Sequence, residues 1–121
     1  MSGVGNRFIE AGYQDPKPLI IVDGKPIIEH VCDLFPNENK FTFICNSKHL
    51  AETSMRDILL SIKPNANIVE IPNHKLGPVY AVSLVEDLIE DEDEVIVNYC
   101  DFGTYWDYKD FLKHTRDRGA D

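Results

Sequence analysis

At 121 residues the chain is long enough for one domain with a real core and too short for two ordinary ones. Its 43% hydrophobic and 27% charged content is globular, and a formal net charge of −9 argues against a nucleic-acid partner gripped through a basic face. No apolar run reaches membrane-spanning length and no basic-then-apolar leader opens the chain, so a cytoplasmic protein with no membrane partner is expected.

In chain order, MSGVGNRF comes first, with Gly3 and Gly5 spaced G-x-G and Arg7 two positions on. PLIIV (18–22) is short, β-branched and bounded by Pro18 and Asp23-Gly24, which predicts a strand. DGKPIIEHVCDLF follows; Pro26 suits a first helical turn, and Ile27, Ile28, Val31, Leu34 and Phe35 share one helical face until Pro36 ends it. KFTFICN (40–46) reads as a buried strand, and Ser47 as the cap of a helix carrying Met55, Ile58, Leu59 and Ile62 at i, i+3, i+4, i+7.

Pro64 and Asn65 break that helix, ANIVEI (66–71) is a third strand, and PNHKLG is a loop. A helix is expected from Pro78 to about Glu90, with Ala81, Val82, Val85, Leu88 and Ile89 as its apolar stripe. EVIVNYC (94–100) is a near-continuous apolar strand ending at Asp101, and a last helix runs from near Asp107 to about Arg118. Strands alternating with helices in this way predict a three-layer α/β/α fold around a mainly parallel sheet, with ligands at the carboxyl ends of the strands.

Cys32, Cys45 and Cys100 are odd in number and widely spaced, which fits neither a disulfide framework nor a zinc or redox pair. Cys32 and Cys45 are expected to be buried, inert thiols, and His30 with Cys32 lacks the second pair a metal site needs. Seven of the nine residues in EDLIEDEDE (86–94) are acidic; a consecutive run does not converge on a cation, so a solvated helix end is expected. Lys25 and Glu29 read as structural or surface residues, and Trp106 as packing at a strand-to-helix turn, the alternative being that it borders an acceptor pocket.

The glycine-rich opening has three readings. A dinucleotide loop needs a third glycine where Phe8 stands, and a Walker loop needs a glycine-lysine-hydroxyl run that does not occur. The third reading couples GVGNR to PKPL downstream: free amides from Gly3 to Arg7 line a phosphate chain, Arg7 offers a forked cation, and Lys17 offers a point charge.

With GVGNR, PKPLIIVDGKPII, KLGPVYAV and VNYCDF in that order, the chain resembles the sugar-nucleotide nucleotidyltransferases (nucleotidyl-transferring pyrophosphorylases) over essentially its whole length. The nearest likeness is to the branch that activates sugar phosphates or small phosphorylated alcohols for surface polysaccharide. The resemblance implies a Rossmann-like nucleotidyltransferase fold and transfer of a nucleoside monophosphate from a nucleoside triphosphate to a phosphorylated small-molecule acceptor, with release of pyrophosphate. It also implies that Ser2, Gly3 and Gly5 contact nucleotide through the backbone, Arg7 and Lys17 bind phosphates in catalysis, Gly77 lies beside the base, Asn73 reads the base edge, and Asp101 holds Mg²⁺.

Against the family pattern, no strand precedes Gly3 and the acceptor half with its second metal-binding aspartate does not follow, so a portion of a longer enzyme, lacking the first strand, is expected. The rival readings are a non-catalytic nucleotide- or sugar-nucleotide-binding regulatory module, an inactive fragment, and a degenerate α/β interaction domain. Nucleobase, acceptor and oligomeric state are not specified by the sequence.

Overall fold

The computed structural model describes residues 1, 12, 13 and 15–119 of the chain. After Pro16, Lys17–Leu19 form one 3₁₀ turn, closed by the Leu19 amide on the Pro16 carbonyl at 2.8 Å, with Pro18 and Leu19 buried. The strand expected over 18–22 is therefore cut to two residues. Strand β1 (Ile21–Val22) pairs antiparallel with β2 (Lys25–Pro26), matching Ile21 with Pro26 and Val22 with Lys25. Asp23 (φ 49°) and Gly24 (φ 84°) both take left-handed conformations, which is the two-residue hairpin geometry that Asp-Gly favours. The turn folds the chain back before a longer strand can form, and Pro18 has no amide to give a ladder.

Helix α1 (Ile27–Cys32) buries Ile28, Val31 and Cys32, and turn bonds carry the chain on through Leu34 and Phe35. Strand β3 (Thr42–Asn46) and strand β4 (Asn67–Ile71) pair in parallel, from Thr42 opposite Asn67 to Asn46 opposite Ile71. The helix expected between them is two helices, α2 (Ser47–Glu52) and α3 (Met55–Ile62). Thr53 divides them: its hydroxyl donates to the His49 carbonyl at 2.6 Å and accepts the Met55 amide at 3.2 Å. The cap of α2 is Asn46, whose Oδ1 accepts the Lys48 amide at 2.9 Å, where Ser47 was expected to act.

Helix α4 (Gly77–Ser83) ends sooner than the expected Glu90; only a 3₁₀ turn over Glu86–Leu88 continues it. Extending it would crowd Glu86, Asp87 and Glu90 against the negative end of the helix dipole, and Leu88 and Ile89 are exposed. The segment 94–100 is not a strand, because no described residue pairs with it; Val95, Ile96, Val97 and Tyr99 are exposed. Helix α5 (Tyr108–Arg118) matches expectation at both ends: Asp107 caps it by accepting the Asp110 amide at 3.0 Å, and Gly119 closes it at φ 56°.

The core gathers Leu19, Ile28, Val31, Phe35, Phe43, Cys45, Met55, Leu59 and Tyr108 between α1, α3, α5 and β3. Trp106 docks the approach to α5, with Nε1 donating to the Leu34 carbonyl at 3.0 Å and its ring edge-on to Phe35 at 5.7 Å. The result is a mixed α/β domain with a small parallel sheet. Among the described residues, no helix is long and apolar enough to cross a membrane.

Candidate functional site

Lys17 and Asp101 are 84 residues apart in sequence, yet Lys17 Nζ forms an ion pair with Asp101 Oδ2. The 3₁₀ turn that replaces the expected strand sets Lys17, and Asp101 stands where the apolar segment 94–100 ends. Both side chains are about one-third exposed, at 34% and 28%, so the pair is reachable from solvent.

Beside it opens a cleft of about 290 Å³, with walls that include Val22, Asp23, Ile27, His30, Asp101 and Phe102. His30 Nε2 lies 2.8 Å from the Val22 carbonyl. A carbonyl only accepts, so Nε2 carries the proton and Nδ1 of the neutral ring is the acceptor. Sequence reasoning treated His30 only as a failed metal ligand and missed Asp23. Their place on the cleft depends on the tight hairpin, for which Asp23-Gly24 was the available signal.

A second group of polar side chains lies beyond the ends of β3 and β4. Asn46, 1% exposed, donates from Nδ2 to Asn73 Oδ1 at 3.4 Å. His74 Nδ1 accepts the Leu76 amide at 3.3 Å, so its neutral ring carries the proton on Nε2, a buried atom with no hydrogen-bond partner. The same ring meets Tyr80 edge-on at 4.9 Å. His74 follows Asn73 directly, but its unmatched donor could be found only from the folded loop. Gly77 adopts φ +86°, and a Cβ there would meet nothing within 4 Å. The glycine is required by a left-handed backbone; the surrounding space is open.

Ser2, Gly3, Gly5 and Arg7 lie outside the described residues. Met1, just before them, accepts the Asn46 amide on its carbonyl at 3.3 Å, at the carboxyl end of β3. The Cys32 and Cys45 thiols are both pushed up to about 11 by burial, as expected of inert core residues. Trp106 is engaged in packing and in its bond to Leu34. The acidic run 86–94 is exposed throughout.

No group of three or more His, Cys, Asp or Glu that could hold a metal ion occurs among the described residues. Asp101 and Asp23 both line the cleft; Mg²⁺ takes only one or two carboxylates and completes its shell with water and phosphate oxygens. In comparison with known proteins, no family model, curated protein or solved structure matches the chain.

Proposed function

We propose that the chain carries the nucleotide-binding site of a nucleotidyltransferase, within the three-layer, Rossmann-like arrangement that the order of its elements suggests. The observation supporting this reading is the ion pair of Lys17 with Asp101, a residue that lines a cleft. A cation for phosphoryl oxygens and a carboxylate for a metal ion are brought together from distant parts of the chain.

In the proposed reaction, an ionised oxygen of the acceptor's phosphate monoester attacks the α-phosphorus of a nucleoside triphosphate. The bond from that phosphorus to the oxygen bridging to the β-phosphorus breaks, and pyrophosphate leaves with the electron pair. The nucleophile is already an anion, so no general base is required. The protein supplies position and charge. Lys17, with Arg7, neutralises phosphoryl oxygens. Asp101, with Asp23 on the same cleft, would hold Mg²⁺, which supplies charge neutralisation and a template for in-line displacement when bound. Asn73 offers its side-chain amide to a base edge near Gly77.

Titrating CTP, UTP, GTP, ATP and dTTP with and without Mg²⁺, and assaying pyrophosphate release with phosphorylated acceptors, tests the reading. Lys17→Ala is expected to weaken binding of the preferred triphosphate about 10- to 100-fold, the effect of losing one charge-assisted hydrogen bond. Asp101→Asn is expected to abolish the Mg²⁺ enhancement of binding. If no triphosphate binds, or both variants bind as the parent does, the proposal fails.

A further inference from the structure

The proposed site gives Lys17 and Asp101 one task each, yet the two side chains hold each other. The Nζ that pairs with Asp101 is the group that would meet phosphoryl oxygens. The Oδ2 that pairs with Lys17 belongs to the carboxylate that would meet a divalent cation. Neither task can be performed through the same contact while the pair is closed.

Both backbones are fixed. On one side the Leu19 amide closes the 3₁₀ turn on the Pro16 carbonyl at 2.8 Å, and Pro18 and Leu19 are buried. On the other, the Phe102 amide donates to the Tyr99 carbonyl at 3.4 Å and Asn98 Nδ2 donates to the same carbonyl at 3.1 Å, closing the turn that carries Asp101. Cys100, next to Asp101, packs against the core. What can swing is the four-carbon stem of the lysine, whose ammonium is a compact charge with rotatable donors. Both ends of the pair are partly exposed, so it can exchange partners while the turns around it stay closed.

We propose that the Lys17–Asp101 ion pair is an exchange latch that couples divalent-cation binding to triphosphate binding at this cleft. The inference rests on the reading of the cleft as a nucleotide site and adds its regulation. A cation that takes Asp101 displaces the ammonium, which is then available to phosphoryl oxygens. Phosphoryl oxygens that draw Lys17 away leave Asp101 an uncompensated carboxylate on the cleft that Asp23 also lines, which strengthens its hold on a cation. One ion pair becomes two, and the coupling is reciprocal. A pair closed about nine-tenths of the time weakens the binding of either ligand alone by about tenfold. The latch therefore favours the metal and triphosphate together over either ion by itself.

The test measures each ion by itself on the whole protein. Mn²⁺ alone, followed by electron paramagnetic resonance, is expected to bind Lys17→Met about three- to tenfold more tightly than the parent. Lys17→Arg keeps a cation for Asp101 and is expected to bind Mn²⁺ as the parent does. Lys25→Met removes the same charge from β2, where Lys25 pairs with Asp33, and is expected to change Mn²⁺ affinity less than about twofold. With EDTA present, inorganic tripolyphosphate is expected to bind Asp101→Asn about three- to tenfold more tightly than the parent. Asp23→Asn removes a charge from the same cleft and leaves the pair in place, so its gain is expected to stay under about twofold. If the parent binds both ions and neither Lys17→Met nor Asp101→Asn gains, the latch is overturned and the nucleotide site stands. Equal gains in Lys25→Met or Asp23→Asn would overturn it too, because charge removal alone would then account for them. If neither ion binds the parent or any variant, the latch and the nucleotide site both fall.

Discussion

His49 sits in α2 with Nδ1 buried and without a hydrogen-bond partner. Burial, and then the positive charges of the Met1 ammonium and Lys48, hold its pKa below the ordinary 6.5, against the opposing pull of Glu52. A histidine lowered on folding binds more protons in the unfolded chain. Its contribution to stability is complete above pH 6.5 and is lost as pH falls through 6.5 toward the folded value. Urea midpoints are therefore expected to fall between pH 7 and pH 5, and His49→Gln to flatten part of that slope. An identical slope in the variant would remove His49 as a cause. Single residues were unevenly legible. Lys17 and Asp101 could be named because their motifs are local, and the fold brings them together. Asn46 could not, because its roles as cap of α2 and partner of Asn73 need the turn out of β3 and a loop 27 residues away.

At the scale of elements, what the sequence made plain was whatever carried its own punctuation. Asp107 and Gly119 bracket α5, and β3 and β4 fall within a residue or two of their expected spans. The failures share a cause. A strand exists only with a partner, so the β-branched runs 18–22 and 94–100 were read from a propensity that tertiary context overrules. Helix α3 shows the reverse case. Its period alone placed Met55 and Leu59 inward, and both are 0% exposed. Leu59 joins the central cluster with Phe43 and Cys45, where a truncated side chain leaves a cavity. Leu59→Ala is expected to cost about 2–5 kcal/mol, read from urea unfolding, whereas the same change at the more exposed Leu60 is expected to cost under about 1 kcal/mol. Similar losses at both sites would mean that α3 is not anchored by this face.

For the whole molecule the dominant electrostatic fact is imbalance, with 21 acidic against 12 basic side chains. Several cations are already committed: Lys25 to Asp33, Lys48 to Glu52, Lys113 to Asp117, and Arg116 to Glu94 at 2.9 Å. These pairs lie on the surface, where each contributes little and weakens with salt. Opposing them is the self-repulsion of the remaining acids, concentrated in the exposed run 86–94. Raising NaCl from about 0.01 M to about 0.1 M shortens the Debye length from about 30 Å to about 10 Å. That distance still spans a contact pair but no longer spans the molecule, so repulsion is screened more than pairing. The urea midpoint is therefore expected to rise over this range, and the doubly neutralised variant Asp91→Asn, Glu92→Gln to start higher and rise less. Those two positions take part in no ion pair among the described residues, so the variant removes repulsion without removing a partner. A midpoint that falls with salt in the parent would mean that the surface pairs outweigh the charge excess.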